Sequence, residues 1–203
     1  MNQELICLAS ASPRRRQLLE QIGVAFEVSP ADIDESPLAN ETPDQFVRRL
    51  AEAKAARAVD TLTAGDRAIV LAADTIVVVD DKVYGKPVDD RHAASMLCQL
   101  SGRSHEVLTA VAVARDEVRA CEISRSRVTF GSLSSDQIDA YVATGEPRDK
   151  AGASAVQGRA AVFIERIEGS FSGVMGLPLF ETAGLLRNVG VEVMQKGAGV
   201  DHR

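Results

Sequence analysis

The chain lacks paired metal-ligand spacings, a glycine-rich phosphate loop and an excess of positive charge, and it has few cysteines. Each absence excludes something. Cys7, Cys98 and Cys121 are odd in number and far apart, and no Cys or His pair stands at zinc-ligand spacing. Reduced thiols in a cytoplasmic protein are therefore expected, not a disulfide framework or a zinc fold. The apolar start Leu5 to Ala9 follows Glu4 with no basic region before it and is far too short to span a bilayer, so neither export nor anchorage is expected. A net charge of −6 disfavours nucleic acid and anionic membrane as partners, although a local basic cluster can still hold a small polyanion. No internal repeat, low-complexity segment, clear linker, G-x-G-x-x-G or P-loop is present.

What is there begins with Ile69 to Val79, an apolar, β-branched run that reads as a central strand and carries Asp74 in its middle. Desolvating a carboxylate there costs several kcal/mol, roughly, unless a metal, a cation or donors compensate it. Asp74 is the first catalytic candidate; a β-bulge or strand end at that position is the structural alternative. With 203 residues, 45% of them hydrophobic, the chain can bury a core as one domain or as two lobes sharing a sheet. The expected architecture is α/β with a mixed sheet flanked by helices, one domain over residues 1–193, and a mobile tail at 194–203.

Leu5 to Ala9 reads as a short buried strand that feeds a helix through Ser10-Ala11-Ser12-Pro13. Ser12 suits the N-cap, Pro13 the first helical position, and Leu18, Leu19 and Ile22 the buried stripe. Free amides, two hydroxyls and Arg14 to Arg16 then converge where a phosphate can sit, with a solvated basic first turn as the alternative. Thr42-Pro43-Asp44-Gln45 is a capping box opening a long helix. Phe46, Leu50, Ala53 and Val59 are expected to face the core, while Val47, Leu50 and Lys54 share a neighbouring stripe that puts Lys54 at the border of buried and open surface. Glu35, in the acidic loop Asp32 to Glu35, gains interest as an oxygen ligand only beside a phosphate and metal site. Lys86 sits in a bend between Gly85 and Pro87 and is either a fixed ligand-binding lysine or an exposed loop lysine.

A helix is expected from about Asp90 to Leu100, two long antiparallel strands at Val107 to Ala114 and Val118 to Phe130, and a helix opened by the capping box Ser134 to Gln137. The small-residue stretch Glu146 to Gly158 would let a ligand approach the backbone, with Lys150 and Gln157 as polar readers. Ala160 to Ile167 reads as a further strand, Glu168-Gly169 as a hairpin turn, and Leu179 to Val189 as the last helix.

Five motifs in order, Ser10 to Arg15, Ala73-Asp74-Thr75, Gly85-Lys86-Pro87, Asp149 to Gly152 with Gln157-Gly158, and Gly176-Leu177-Pro178, resemble the Maf family of nucleoside triphosphate pyrophosphatases from about residue 5 to 190. The resemblance implies an elongated mixed α/β fold of the inosine-triphosphate-pyrophosphatase type, two lobes around a cleft, and cleavage of a nucleoside triphosphate to monophosphate and pyrophosphate. It also implies a divalent metal, magnesium or manganese, a cytoplasmic location and often a homodimer. Carried over by position, the proton acceptor falls on Asp74 and the phosphate and metal positions on Ser10, Arg14, Arg15, Glu35, Lys54 and Lys86, with Ser12 and Lys150 beside them. Glu35 and Asp74 are the metal-ligand candidates. Arg14, Thr75 and Gln157 fall on positions associated with substrate choice, and the set is similar to the branch that cleaves dTTP and UTP. The alternatives are the 7-methyl-GTP branch and a non-catalytic nucleotide-binding regulator of septum formation.

Overall fold

The computed structural model describes residues 5–62 and 68–193; the tail expected to be mobile lies outside the described residues. In chain order the elements are β1 (Ile6–Leu8), α1 (Pro13–Gln21), β2 (Phe26–Val28), α2 (Pro43–Val59), β3 (Ile69–Val79), β4 (Lys82–Tyr84), α3 (Asp90–Leu100), β5 (Ser104–Arg115), β6 (Val118–Phe130), α4 (Ser135–Val142), β7 (Ile164–Glu168), α5 (Phe171–Met175) and α6 (Leu179–Asn188). The strands form one mixed sheet in the order β2-β1-β3-β5-β6-β7, with β4 on β3. β1 runs parallel to β2 and β3, and the remaining pairs are antiparallel. The expected mixed α/β class is what the chain adopts.

Alternation along β3 divides the core. Val70, Ala72, Ile76 and Val78 pack under α2 on one face of the sheet. On the other face, Ile69, Leu71 and Ala73 meet α1 and α6, whereas Val77 and Val79 meet α3 and α4. Thr75 lies between those two cores, in register with Thr109 of β5, which pairs in turn with Ser124 of β6. A seam of hydroxyls thus crosses three long strands where two apolar clusters end.

The ladder between β3 and β5 is unbroken from Val70 to Val78, so Asp74 sits in a regular strand and not in a bulge. The opposite edge of β3 is only partly covered. β1 pairs with Ile69 to Leu71 and β4 with Val77 to Val79, leaving residues 72–76 without a strand neighbour on that side. Since the amide of Ile69 and the carbonyl of Leu71 point toward β1, the backbone groups of Ala73 and Thr75 face this gap.

The caps at Ser12, Thr42 and Ser134 form as expected, the last two as complete capping boxes. Three expectations fail. The buried stripe of α2 is Phe46, Val47, Leu50, Ala51, Ala55 and Ala58, while Ala53 and Val59 are only partly buried. Lys54 lies, as expected, at the border of buried and open surface. The strand expected over Ala160 to Ile167 begins only at Ile164, because Arg159–Phe163 wind into a 3₁₀ turn, and Gly169 leads into α5 instead of a hairpin. The Glu146 carboxylate explains the turn: it accepts the Arg159 amide at 3.0 Å and the Tyr141 hydroxyl at 3.0 Å, tying the segment to α4 and away from the ladder. No helix among the described residues is long and apolar enough to cross a membrane.

Candidate active site

A cleft of about 650 Å³ opens at the uncovered edge of β3, and Ser10, Ser12, Arg14, Arg15, Glu35, Lys54, Asp74, Thr75 and Lys86 all line it. After β1 the Ala9 amide still reaches Leu71 at 2.8 Å, and the chain then turns into α1. The side chain of Ser12 accepts from the Arg15 amide, and Pro13 begins the helix where no amide bond is needed. Successive residues of a helical turn point about 100° apart, so the three arginines separate. Arg14 faces the cleft and Arg15 turns inward. Arg16 does not join them: it is absent from the cleft wall and its buried Nε has no partner, so the expected convergence of three guanidinium groups reduces to two.

The centre of the charged face is Lys54. Its Nζ lies 2.6 Å from Asp74 Oδ1 and 2.6 Å from Glu35 Oε1. Asp74 is 7% exposed, so the ammonium is the cation that its desolvation demands. Burial pushes the Glu35 carboxyl up, but Lys54, with help from Lys86 and Arg15, more than offsets this and holds it below the usual carboxylate range. Lys86 is exposed on the cleft wall, and its bend is pinned by a 3.0 Å bond from the Gly152 amide to the Gly85 carbonyl.

On the other face Arg15 is a clamp. Its Nε donates to the Gly176 carbonyl at 2.8 Å, Nη1 to Ser10 Oγ at 2.9 Å and Nη2 to Thr75 Oγ1 at 3.2 Å. Burial pulls its pKa down and the Asp74 charge opposes that. Gly176 has φ of +113°, a backbone conformation that favours glycine, although a Cβ there would meet Thr75 Oγ1 and Arg15 Nε only at ordinary contact distances of 3.4 and 3.6 Å.

Two expected readers are placed differently. Lys150 is paired with Asp149, and of the two only Asp149 lines the cleft; burial raises the Asp149 carboxyl, but Lys150 and Arg14 hold it below its ordinary range. Gln157 is exposed and outside the cleft wall, which this segment builds from Ser154, Ala155 and Val156. Sequence reasoning also missed Thr109, wholly buried behind Thr75, and His105, a buried residue of the wall whose Nδ1 has no partner and whose pKa burial lowers to about 4. Both are polar residues in an apolar strand, the same signal that marked Asp74.

From residue 5 to residue 189 the chain matches the family model described as Maf-like protein. It belongs to the Maf family. Among its relatives, the dTTP/UTP pyrophosphatase of Methylobacillus flagellatus is 56% identical over 193 residues, covering 95% of this chain and 96% of that protein. The dTTP/UTP pyrophosphatase of Methylococcus capsulatus is 50% identical over 194 residues, covering 96% and 95%. A solved nucleoside-triphosphatase / dITP/XTP pyrophosphatase of Mycobacterium abscessus aligns with 64% of this chain and 75% of its own at 17% identity and a TM-score of 0.43. That distance carries nothing about the site.

Among the described residues of this Maf chain no group of three or more His, Cys, Asp and Glu side chains is arranged to hold a metal ion unaided. Glu35 and Asp74, bridged by one ammonium, are nevertheless hard oxygen donors on one wall. Such a pair suits an ion of the magnesium type, which takes one or two carboxylates and completes its shell with water and phosphate oxygens.

Proposed function

We propose that this chain hydrolyses dTTP and UTP to the nucleoside monophosphate and pyrophosphate, in the cytoplasm. The observation that carries the proposal is the buried Asp74 at the uncovered edge of β3, facing a cleft whose cations Arg14, Lys54 and Lys86 come from α1, α2 and the bend after β4. Relatives matched end to end bear that activity in their names.

Cleavage at the α-phosphorus needs an aligned water and a neutralised leaving group. Lys54 occupies Asp74 Oδ1, so the second carboxylate oxygen is the one placed to orient the water and take its proton. Arg14, Lys54 and Lys86 carry the charge of the departing pyrophosphate. Ser10 Oγ already accepts from Arg15 Nη1 and from the Ser12 amide at 3.3 Å, which leaves its own proton for a phosphate oxygen. Glu35 and Asp74 would hold a divalent cation, which when bound supplies further positive charge at the phosphates.

Incubation with magnesium and a panel of dTTP, UTP, CTP and 7-methyl-GTP, with products separated, tests the proposal. Pyrophosphate should appear as the first phosphorus product, from dTTP and UTP above the others, and chelator should stop the reaction. Orthophosphate as the first product, or 7-methyl-GTP as the preferred substrate, would overturn it.

A further inference from the structure

We propose that Arg49 is a positioning residue for the divalent cation of this site: by gripping Glu41 and the Ser36 carbonyl it fixes the coil that presents the Glu35 carboxylate. The assignment rests on the pyrophosphatase reading above, with Glu35 as one of the two metal donors. Glu35 stands between β2 and α2, in a stretch with no helix or strand of its own, and its side chain is 52% exposed. A ligand so placed needs outside support, because ordering a free backbone costs entropy at every residue. Lys54 holds Oε1 at 2.6 Å, but one contact at the tip leaves the coil beneath it free to pivot. Upstream, the coil is tied by the Ser29 amide, which donates to the Leu8 carbonyl at 3.0 Å.

Arg49 ties it downstream. Its Nε donates to Glu41 Oε1 at 2.6 Å, and its Nη2 donates to Glu41 Oε2 at 2.8 Å and to the carbonyl of Ser36, the neighbour of Glu35, at 3.0 Å. Glu41 Oε2 also accepts the Leu38 amide at 3.0 Å, and Asp34 Oδ1 accepts the Ser36 amide at 2.9 Å. Residues 36, 38 and 41 thus converge on one guanidinium. The Glu41 side chain is only 7% exposed, so this is a seated pair with two parallel bonds and not a solvated surface contact. The guanidinium carbon in turn lies 5.4 Å over the ring of Phe46, one helical turn away on α2. Phe46, Leu50 and Lys54 of that helix line the cleft, whereas Arg49 does not. Its influence on the site must therefore pass through Glu35.

The test measures manganese(II) binding by electron paramagnetic resonance on protein carrying the non-hydrolysable analogue α,β-imido-UTP, with the analogue alone as reference. Arg49→Met should raise the manganese Kd about tenfold, the lower end of what the outer partners of a metal ligand contribute. In a Glu35→Gln background the same substitution should change Kd by less than about twofold, since the path through Glu35 is already cut. Glu41→Gln, which keeps the side-chain size, carries the same comparison if Arg49→Met fails to fold. For either variant, kcat for UTP at saturating metal should stay within about threefold of the parent. An unmoved Kd in a folded variant overturns the assignment, as does an equal loss with and without Glu35, which would make Arg49 a general support of the fold. Turnover of UTP by the unsubstituted protein is measured alongside: its absence would fell the pyrophosphatase proposal, whereas turnover with an unmoved manganese Kd fells only this one.

Discussion

Asp74 and Thr75 are adjacent on one strand and face opposite sides of the sheet, and the two sides solve the problem of a buried polar group differently. Asp74 is compensated by charge, through an ammonium shared with half-exposed Glu35. Thr75 is compensated by the neutral hydroxyl of Thr109 behind it, with a single cation at its margin. The charged side keeps reactive groups at the cleft surface, where a substrate can exchange for protein partners. The hydroxyl side is closed at the back by the wholly buried Thr109.

The largest effect should come from Asp74→Asn, which keeps the shape but can neither take a proton nor supply charge. Turnover should fall by about 10²-fold or more, with nucleotide binding retained; unchanged turnover would remove Asp74 from the chemistry. Lys54→Met breaks the same side from its middle and leaves the Asp74 carboxylate without its cation, at a cost of about 3 kcal/mol in a denaturant melt. Glu35 provides the pH signature of that side. Its lowered pKa contributes stability that is present above the unfolded value of about 4.3 and lost as pH falls through the folded one, and this acid-sensitive share should disappear in Lys54→Met.

His105 sharpens the contrast from the hydroxyl side. Because burial lowers its pKa from 6.5 to about 4, the unfolded chain takes up a proton that the folded chain refuses, and stability should decline on acidification across that window. His105→Phe should flatten the pH dependence of Tm between these limits. The smallest effect belongs to Gln157→Ala. With that side chain exposed and off the cleft wall, the UTP to CTP preference should stay within about twofold, and a larger change in kcat/KM would show that the 150s segment closes over the base.

Much of this was legible in the residues. A carboxylate inside a β-branched run marks its own importance, and caps such as Ser12-Pro13 and Thr42 to Gln45 are local rules that tertiary packing left intact. The inward face of α2 was not legible, because Ala51, Ala55 and Ala58 carry almost no hydrophobic contrast with the exposed alanine Ala56 on the same helix. The 3₁₀ turn at Arg159–Phe163 depends on Glu146, whose carboxylate reaches it from another part of the chain. Thr109 carried the same signal more faintly, since a threonine is a good strand residue, and its contacts with Thr75 and Gly173 are what tie it to the site.

The uncovered stretch of β3 has a consequence for the protein's behaviour in a crowded solution. Unpaired sheet edges invite other chains to add strands and are a route to polymerisation. Here β1 and β4 act as bookends, so that five residues, about 17 Å of strand, are open and only Ala73 and Thr75 turn their backbone groups outward. That is long enough for a small ligand and too short for an intruding strand to find a cooperative ladder. The gap in β3 stays open to chemistry without offering an intruding strand a ladder there.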